Sequence, residues 1–106
     1  MALHLTQENI EKEVNQSALP VVIDVYAVWC GPCQQMTPIF EELEKELSSS
    51  YKFAKINVDE ARELSIKYGV TSVPTFIFIK DGKVMGKETG YMAKNDLIEK
   101  IEEYLG

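Results

Sequence analysis

The sequence predicts an α/β protein, a mixed sheet with helices packed on both faces. Short β-branched runs such as Val21-Val22-Ile23 alternate along the 106-residue chain with stretches of helical periodicity. Asp81-Gly82 sits between two further strand-like runs, a two-residue hairpin signal. Composition agrees: 45% hydrophobic and 26% charged residues are ordinary globular values and leave no room for a disordered or low-complexity class. The length fits one domain, taken as residues 1–106.

The elements follow in order. Ala2 to Leu5 is a weak strand candidate, and Thr6 can cap a helix whose Ile10 and Val14 lie one turn apart. Pro20 opens the near-continuous apolar run Val21 to Val28, a central strand buried on both faces. After Cys33 the period changes. Met36, Ile39, Phe40, Leu43 and Leu47 recur at helical spacing, Glu41, Glu42, Glu44, Lys45 and Glu46 fill the outer face, and Pro38 should kink the helix. Serines 48 to 50 end it. Phe53 to Val58 reads as a second buried strand. Ala61 to Tyr68 is a short helix with Gly69 suited to its left-handed cap. Thr75 to Lys80 and Lys83 to Thr89 flank the hairpin, and Leu97, Ile98, Ile101, Tyr104 and Leu105 make a terminal amphipathic helix.

Charge and hydropathy narrow the function. Eleven Lys and Arg against 17 Asp and Glu give a net charge of -6, so phosphate backbones and anionic membrane surfaces are repelled. The apolar runs are strand-sized, far below the ~20 residues of a bilayer span. No secretory signal is visible at the N-terminus, which makes the cytoplasm the default expectation.

Chemistry concentrates at Trp29-Cys30-Gly31-Pro32-Cys33, where the central strand gives way to a helix. Active sites of open α/β sheets gather at such strand ends. Helix amides there point at the first sulfur, and the helix dipole favours a thiolate. Two cysteines three apart can close a small, exchangeable disulfide. A zinc site needs four ligands, and the chain offers two cysteines and a distant His4. Haem attachment needs a histidine after the second cysteine, where Gln34 stands. Two inert buried cysteines are the bland alternative. Asp24 interrupts the apolar strand, where an ionised carboxylate is costly and its pKa should rise. It is a candidate proton acceptor, unless the strand lies at an edge and the side chain faces solvent. On residues alone Lys55 and His4 read as surface residues, Trp29 could fill the core, and Pro74 is an ordinary trans proline at a strand start.

The chain resembles the thioredoxin family over residues 2 to 105. The resemblance is carried by Tyr26-Ala27-Val28-Trp29-Cys30-Gly31-Pro32-Cys33, Pro38, Lys55-Ile56-Asn57-Val58-Asp59, Tyr68-Gly69-Val70, Val73-Pro74-Thr75, Lys80-Asp81-Gly82-Lys83 and Gly90. It implies a central mixed five-stranded sheet flanked by four helices, a three-layer α/β/α sandwich. It also implies a general protein-disulfide reductase without bound cofactor, its redox couple being Cys30 and Cys33. Substrates would be disulfide-containing proteins, and a thioredoxin reductase using NADPH and flavin would return the electrons to a monomeric protein. Cys30 would face out and attack; Cys33, shielded, would resolve the mixed disulfide. Asp24 would act through water on Cys33 with Lys55 as its neighbour. Pro74 would be cis and pack on the disulfide, and Val73 would pair with an extended substrate. Trp29, Gly31, Pro32, Gly90 and Tyr91 would complete an apolar groove, with Met85 and Met92 packing near it. Gln34, Tyr26 and Thr71-Ser72 depart from the commonest family pattern and bear on partner choice. The rival functions are an oxidase or isomerase outside the cytosol, and a binding or scaffold subunit that uses the fold without turnover.

Overall fold

The structure is a computed structural model that describes residues 2–106; Met1 lies outside them. Strand β1 is Leu3–His4, followed by a π-helical turn over Glu11–Asn15. Then come β2 Val21–Tyr26, helix α1 Gly31–Leu47, β3 Lys52–Asn57 and α2 Arg62–Lys67. The chain closes with β4 Thr75–Lys80, β5 Lys83–Thr89 and α3 Lys94–Leu105. The five strands form one sheet in the order β1-β3-β2-β4-β5. β1, β3 and β2 run parallel, while β4 is antiparallel to β2 and β5 to β4.

The pleat divides the core in two, because successive side chains on a strand point to opposite faces. Val21, Ile23 and Val25 of β2 join Ala54, Ile56, Ile77 and Ile79 against Ile10, Val14 and Leu64 from the N-terminal turn and α2. Val22 joins Phe53, Phe76 and Phe78 against Met36, Phe40 and Leu43 of α1 and Leu97, Ile101 and Leu105 of α3. Each of these large side chains contributes about 1.5–3 kcal/mol by leaving water. Asp24 has the parity of Val22. It therefore points into the aromatic layer beneath α1 and α3, and it is wholly buried.

Several local expectations changed on folding. The central strand stops at Tyr26, two residues early, because the Ala27 carbonyl turns to accept the Cys30 amide at 3.2 Å. The first helix is a turn at Thr6 leading into the π segment. Thr6 Oγ1 accepts from the Asn9 amide and Asn9 Oδ1 accepts from the Thr6 amide, a reciprocal cap. The Gln16 amide then reaches back five residues to the Glu11 carbonyl. Pro38 lies inside α1, as the sequence places it. Asp81 and Gly82 both take positive φ, 53° and 76°, which gives the hairpin the turn that matches strand twist.

Candidate active site

The end of β2 and the start of α1 build the centre of the site. Cys30 keeps extended backbone angles (φ -96°, ψ 114°) and caps α1, its sulfur accepting the Cys33 amide at 3.2 Å. Pro32 falls in the first helical turn, where its missing N–H costs no hydrogen bond. Cys30 and Cys33 are joined by a disulfide, with their Cα atoms 5.2 Å apart. Cys33 is 2% exposed and Cys30 only 7%. Cys30 is thus the more open of the two but does not stand out from the surface as the sequence suggested. Val58 and Val73 pack over the pair with Tyr26 and Ala27.

A second backbone approaches the sulfurs from β4. The Val73–Pro74 peptide is cis, and the Val73 carbonyl oxygen lies 3.8 Å from Cys30 Sγ. The Gly90 amide donates to the Pro74 carbonyl at 2.8 Å, which ties the end of β5 to this loop. Gly90 has φ +103°, a conformation that side chains disfavour. Tyr91, beside it, is half exposed.

Trp29 is not core: its indole is 69% exposed, and its Nε1 donates to Asp59 Oδ2 at 3.0 Å. The Asp59 amide in turn donates to Asn57 Oδ1. Trp29 and Val73 line a groove of about 580 Å³ together with Val58, Arg62, Ile66 and Val70. Gly31 and Pro32 are exposed on the first turn of α1; they, Gly90 and Tyr91 lie outside that groove. Met85 is exposed on β5 rather than packed near the site, whereas the Met92 amide contacts Met36 Sδ and Met92 joins the aromatic layer. Gln34, one of the departures from the family pattern, donates its side-chain amide to the Val28 carbonyl at 2.7 Å.

The strand that leads into the disulfide turn carries a wholly buried carboxylate, the only one in the core among the described residues. Asp24 is pushed up to about 6 by burial, against which the Lys55 charge acts. Neither carboxylate oxygen accepts a hydrogen bond from any of the described residues. Asp24 is therefore not an edge-strand residue facing solvent, and Lys55, 9% exposed, is not a surface charge. The two are register partners on β2 and β3. Sequence reasoning missed two neighbours. The Lys55 ammonium sits 4.6 Å from the centre of the Tyr26 ring, and Tyr26 OH is 2.9 Å from His4 Nε2. Nothing local in the sequence signals either contact, since each spans the sheet.

Among the described residues no cluster of three or more His, Cys, Asp or Glu is placed to hold a metal ion. No helix among them is long and apolar enough to cross a membrane. A disulfide at a helix start, beside a groove lined by Trp29 and Val73, defines a thiol–disulfide oxidoreductase on an α/β sandwich. The thioredoxin family model matches residues 1–103. A thioredoxin of Rickettsia bellii is 45% identical over 101 residues, 95% of this chain and 96% of that one. Thioredoxins of Rickettsia felis and Haemophilus influenzae are 40% and 34% identical, each over 103 residues, 97% of this chain and 98% and 96% of theirs. The chain belongs to the thioredoxin family, and its activity is protein-disulfide reduction.

Proposed function

We propose that Cys30 is the attacking thiolate and Cys33 the resolving one, in a single-domain, monomeric, cytoplasmic reductant of many protein disulfides. The Cys30 thiolate attacks one sulfur of the substrate disulfide, forming a mixed disulfide and releasing the other sulfur as a thiolate. Cys33, deprotonated, then attacks Cys30 Sγ, releases the second substrate thiolate and closes the Cys30–Cys33 bond. Two electrons pass to the substrate. Asp24 takes the Cys33 proton, through water, and Lys55 moderates its charge. No bound cofactor takes part; a thioredoxin reductase using NADPH and flavin restores the dithiol.

The observation that carries this assignment is the Cys33 amide donating to Cys30 Sγ. The same N–H would stabilise a Cys30 thiolate once the disulfide opens, and the α1 dipole adds to it. Among the described residues no amide donates to the Cys33 sulfur, and Cys33 is the more buried residue of the two. The Val73 carbonyl near Cys30 offers backbone pairing to an extended substrate, with Trp29, Gly31, Pro32, Pro74, Gly90 and Tyr91 as its surroundings.

Insulin reduction driven by NADPH and a thioredoxin reductase tests the reading. Wild type should turn over, and Cys30→Ser should be inactive. Cys33→Ser should accumulate mixed disulfides with target proteins, and Cys30→Ser should not. Accumulation by Cys30→Ser instead would reverse the two roles.

A further inference from the structure

One row of residues crosses the sheet at the level of the buried carboxyl. His4 on β1 is the register partner of Lys55 on β3, and Lys55 is that of Asp24 on β2. Asp24 in turn faces Phe76 on β4. An orphaned carboxylate and a nearly buried ammonium on neighbouring strands should collapse into an ion pair, because in a dry interior each is the other's best partner. They do not. Both Asp24 oxygens are without a hydrogen bond, while Lys55 Nζ lies over the face of Tyr26.

Tyr26 is placed to cause this. It stands two residues after Asp24 on the same strand and so projects from the same face. Its ring offers the ammonium a cation–π seat. Its hydroxyl is anchored to His4 Nε2 at 2.9 Å, which fixes the ring against rotation toward solvent. Tyr26 also lines a small cleft of about 170 Å³ with Cys33, so the clamp borders the resolving cysteine. We propose that Tyr26 is a positioning residue: its ring, held by His4, keeps the Lys55 ammonium off the Asp24 carboxylate and so preserves Asp24 as an unpaired proton acceptor. The purpose of the clamp rests on the assignment of Asp24 as the acceptor for Cys33; the clamp itself does not.

The groups that bear on Asp24 and Tyr26 are few. Lys55 and Asn57 come from β3, His4 from β1 and Glu60 from the segment after β3. β4 offers Phe76, and the cleft contributes Cys33, which does not titrate in the disulfide form. Oxidised protein therefore isolates the carboxyl. Its titration is followed by carboxyl-carbon NMR, with the His4 imidazole followed separately by its ring protons.

Tyr26→Leu should lower the Asp24 midpoint by about one pH unit or more, the effect of an opposite charge arriving within ~4–6 Å. Tyr26→Phe keeps the seat and should restore most of the wild-type midpoint. In a Lys55→Met background, Tyr26→Leu should move the midpoint no further. An unchanged or raised midpoint in Tyr26→Leu overturns the proposal. So does an equal fall in the Lys55→Met background, which would mean that water entry and not the ammonium is responsible. If Tyr26→Leu does not fold, His4→Ala decides: it releases the ring and should lower the midpoint by a smaller amount, and no change there refutes the clamp. None of these readouts uses turnover, so a failed clamp and a failed role for Asp24 in catalysis are told apart.

Discussion

Trp29 donates its indole N–H to Asp59 across 3.0 Å while the ring itself stays 69% exposed. The bond joins the turn before Cys30 to the segment after β3 and tethers an exposed indole on the wall of the groove. The tether thus presets the groove wall before a substrate arrives, which spares ordering cost on binding.

Removing the tether should weaken docking and leave the sulfur chemistry intact. Asp59→Ala is expected to raise KM for insulin by about two- to tenfold, the ~0.5–1.5 kcal/mol of one hydrogen bond. The rate with a small soluble disulfide that does not reach Trp29 should be unchanged. A fall in both rates alike would place Asp59 in the chemistry instead.

Gly86 and Tyr104 make a second relationship of this kind. Gly86 lies within β5, and a Cβ there would run into the Tyr104 ring of α3. That ring stacks on Phe78 at 5.0 Å, and its hydroxyl donates to Glu88 Oε2 at 2.6 Å. The β4–β5 register slips at the same point, from Phe78↔Gly86 to Ile79↔Val84, and passes over Met85. Gly86→Ala should therefore cost about 1–3 kcal/mol through overpacking. In a Tyr104→Ala background the added methyl should cost far less. Denaturant melts of the four proteins give the coupling directly, and strictly additive losses would show that Tyr104 is not the obstacle.

These cases mark what local pattern conveys and what it does not. The runs from Val21 and from Thr75 announce strands through composition alone, and Asp81-Gly82 announces its turn. Asp24 is legible as a core carboxyl because six of the seven other residues of its run, Val21 to Val28, are aliphatic. Tyr26 is different. As a strand residue it looks like filler, and its partners Lys55 and His4 are brought to it only by strand order. Gly86 looks like a weak point in β5 until α3 packs across it. The limited exposure of Cys30 likewise depends on Val58 and Val73, which reach it from distant loops. Contacts set by register and crossover cannot be read from residues one at a time.

The burial of Asp24 fixes a stability change with pH whose sign is definite. In the unfolded chain the carboxyl ionises near ~3.9; in the fold, burial pushes it up to about 6. Below the unfolded value both states are protonated, and Asp24 carries no penalty. Between the two values the unfolded chain ionises first, so stability is lost as pH rises. Above about 6 the loss is complete and constant, and the gap corresponds to about 3 kcal/mol. Asp24→Asn removes the titration. Its amide carries a desolvation cost of its own, but that cost does not vary with pH. The stability of Asp24→Asn relative to wild type should accordingly improve by about 3 kcal/mol between pH 3 and pH 8, with the change centred between the two ionisations. Denaturant melts of the oxidised proteins measure this without thiol titration. A difference between variant and wild type that stays flat across that range would mean that Asp24 ionises in the fold as it does in water. Reduced Asp24→Asn should meanwhile resolve mixed disulfides more slowly at neutral pH, because the Cys33 proton has lost its acceptor. Raising the pH should restore the rate as solvent takes over that role.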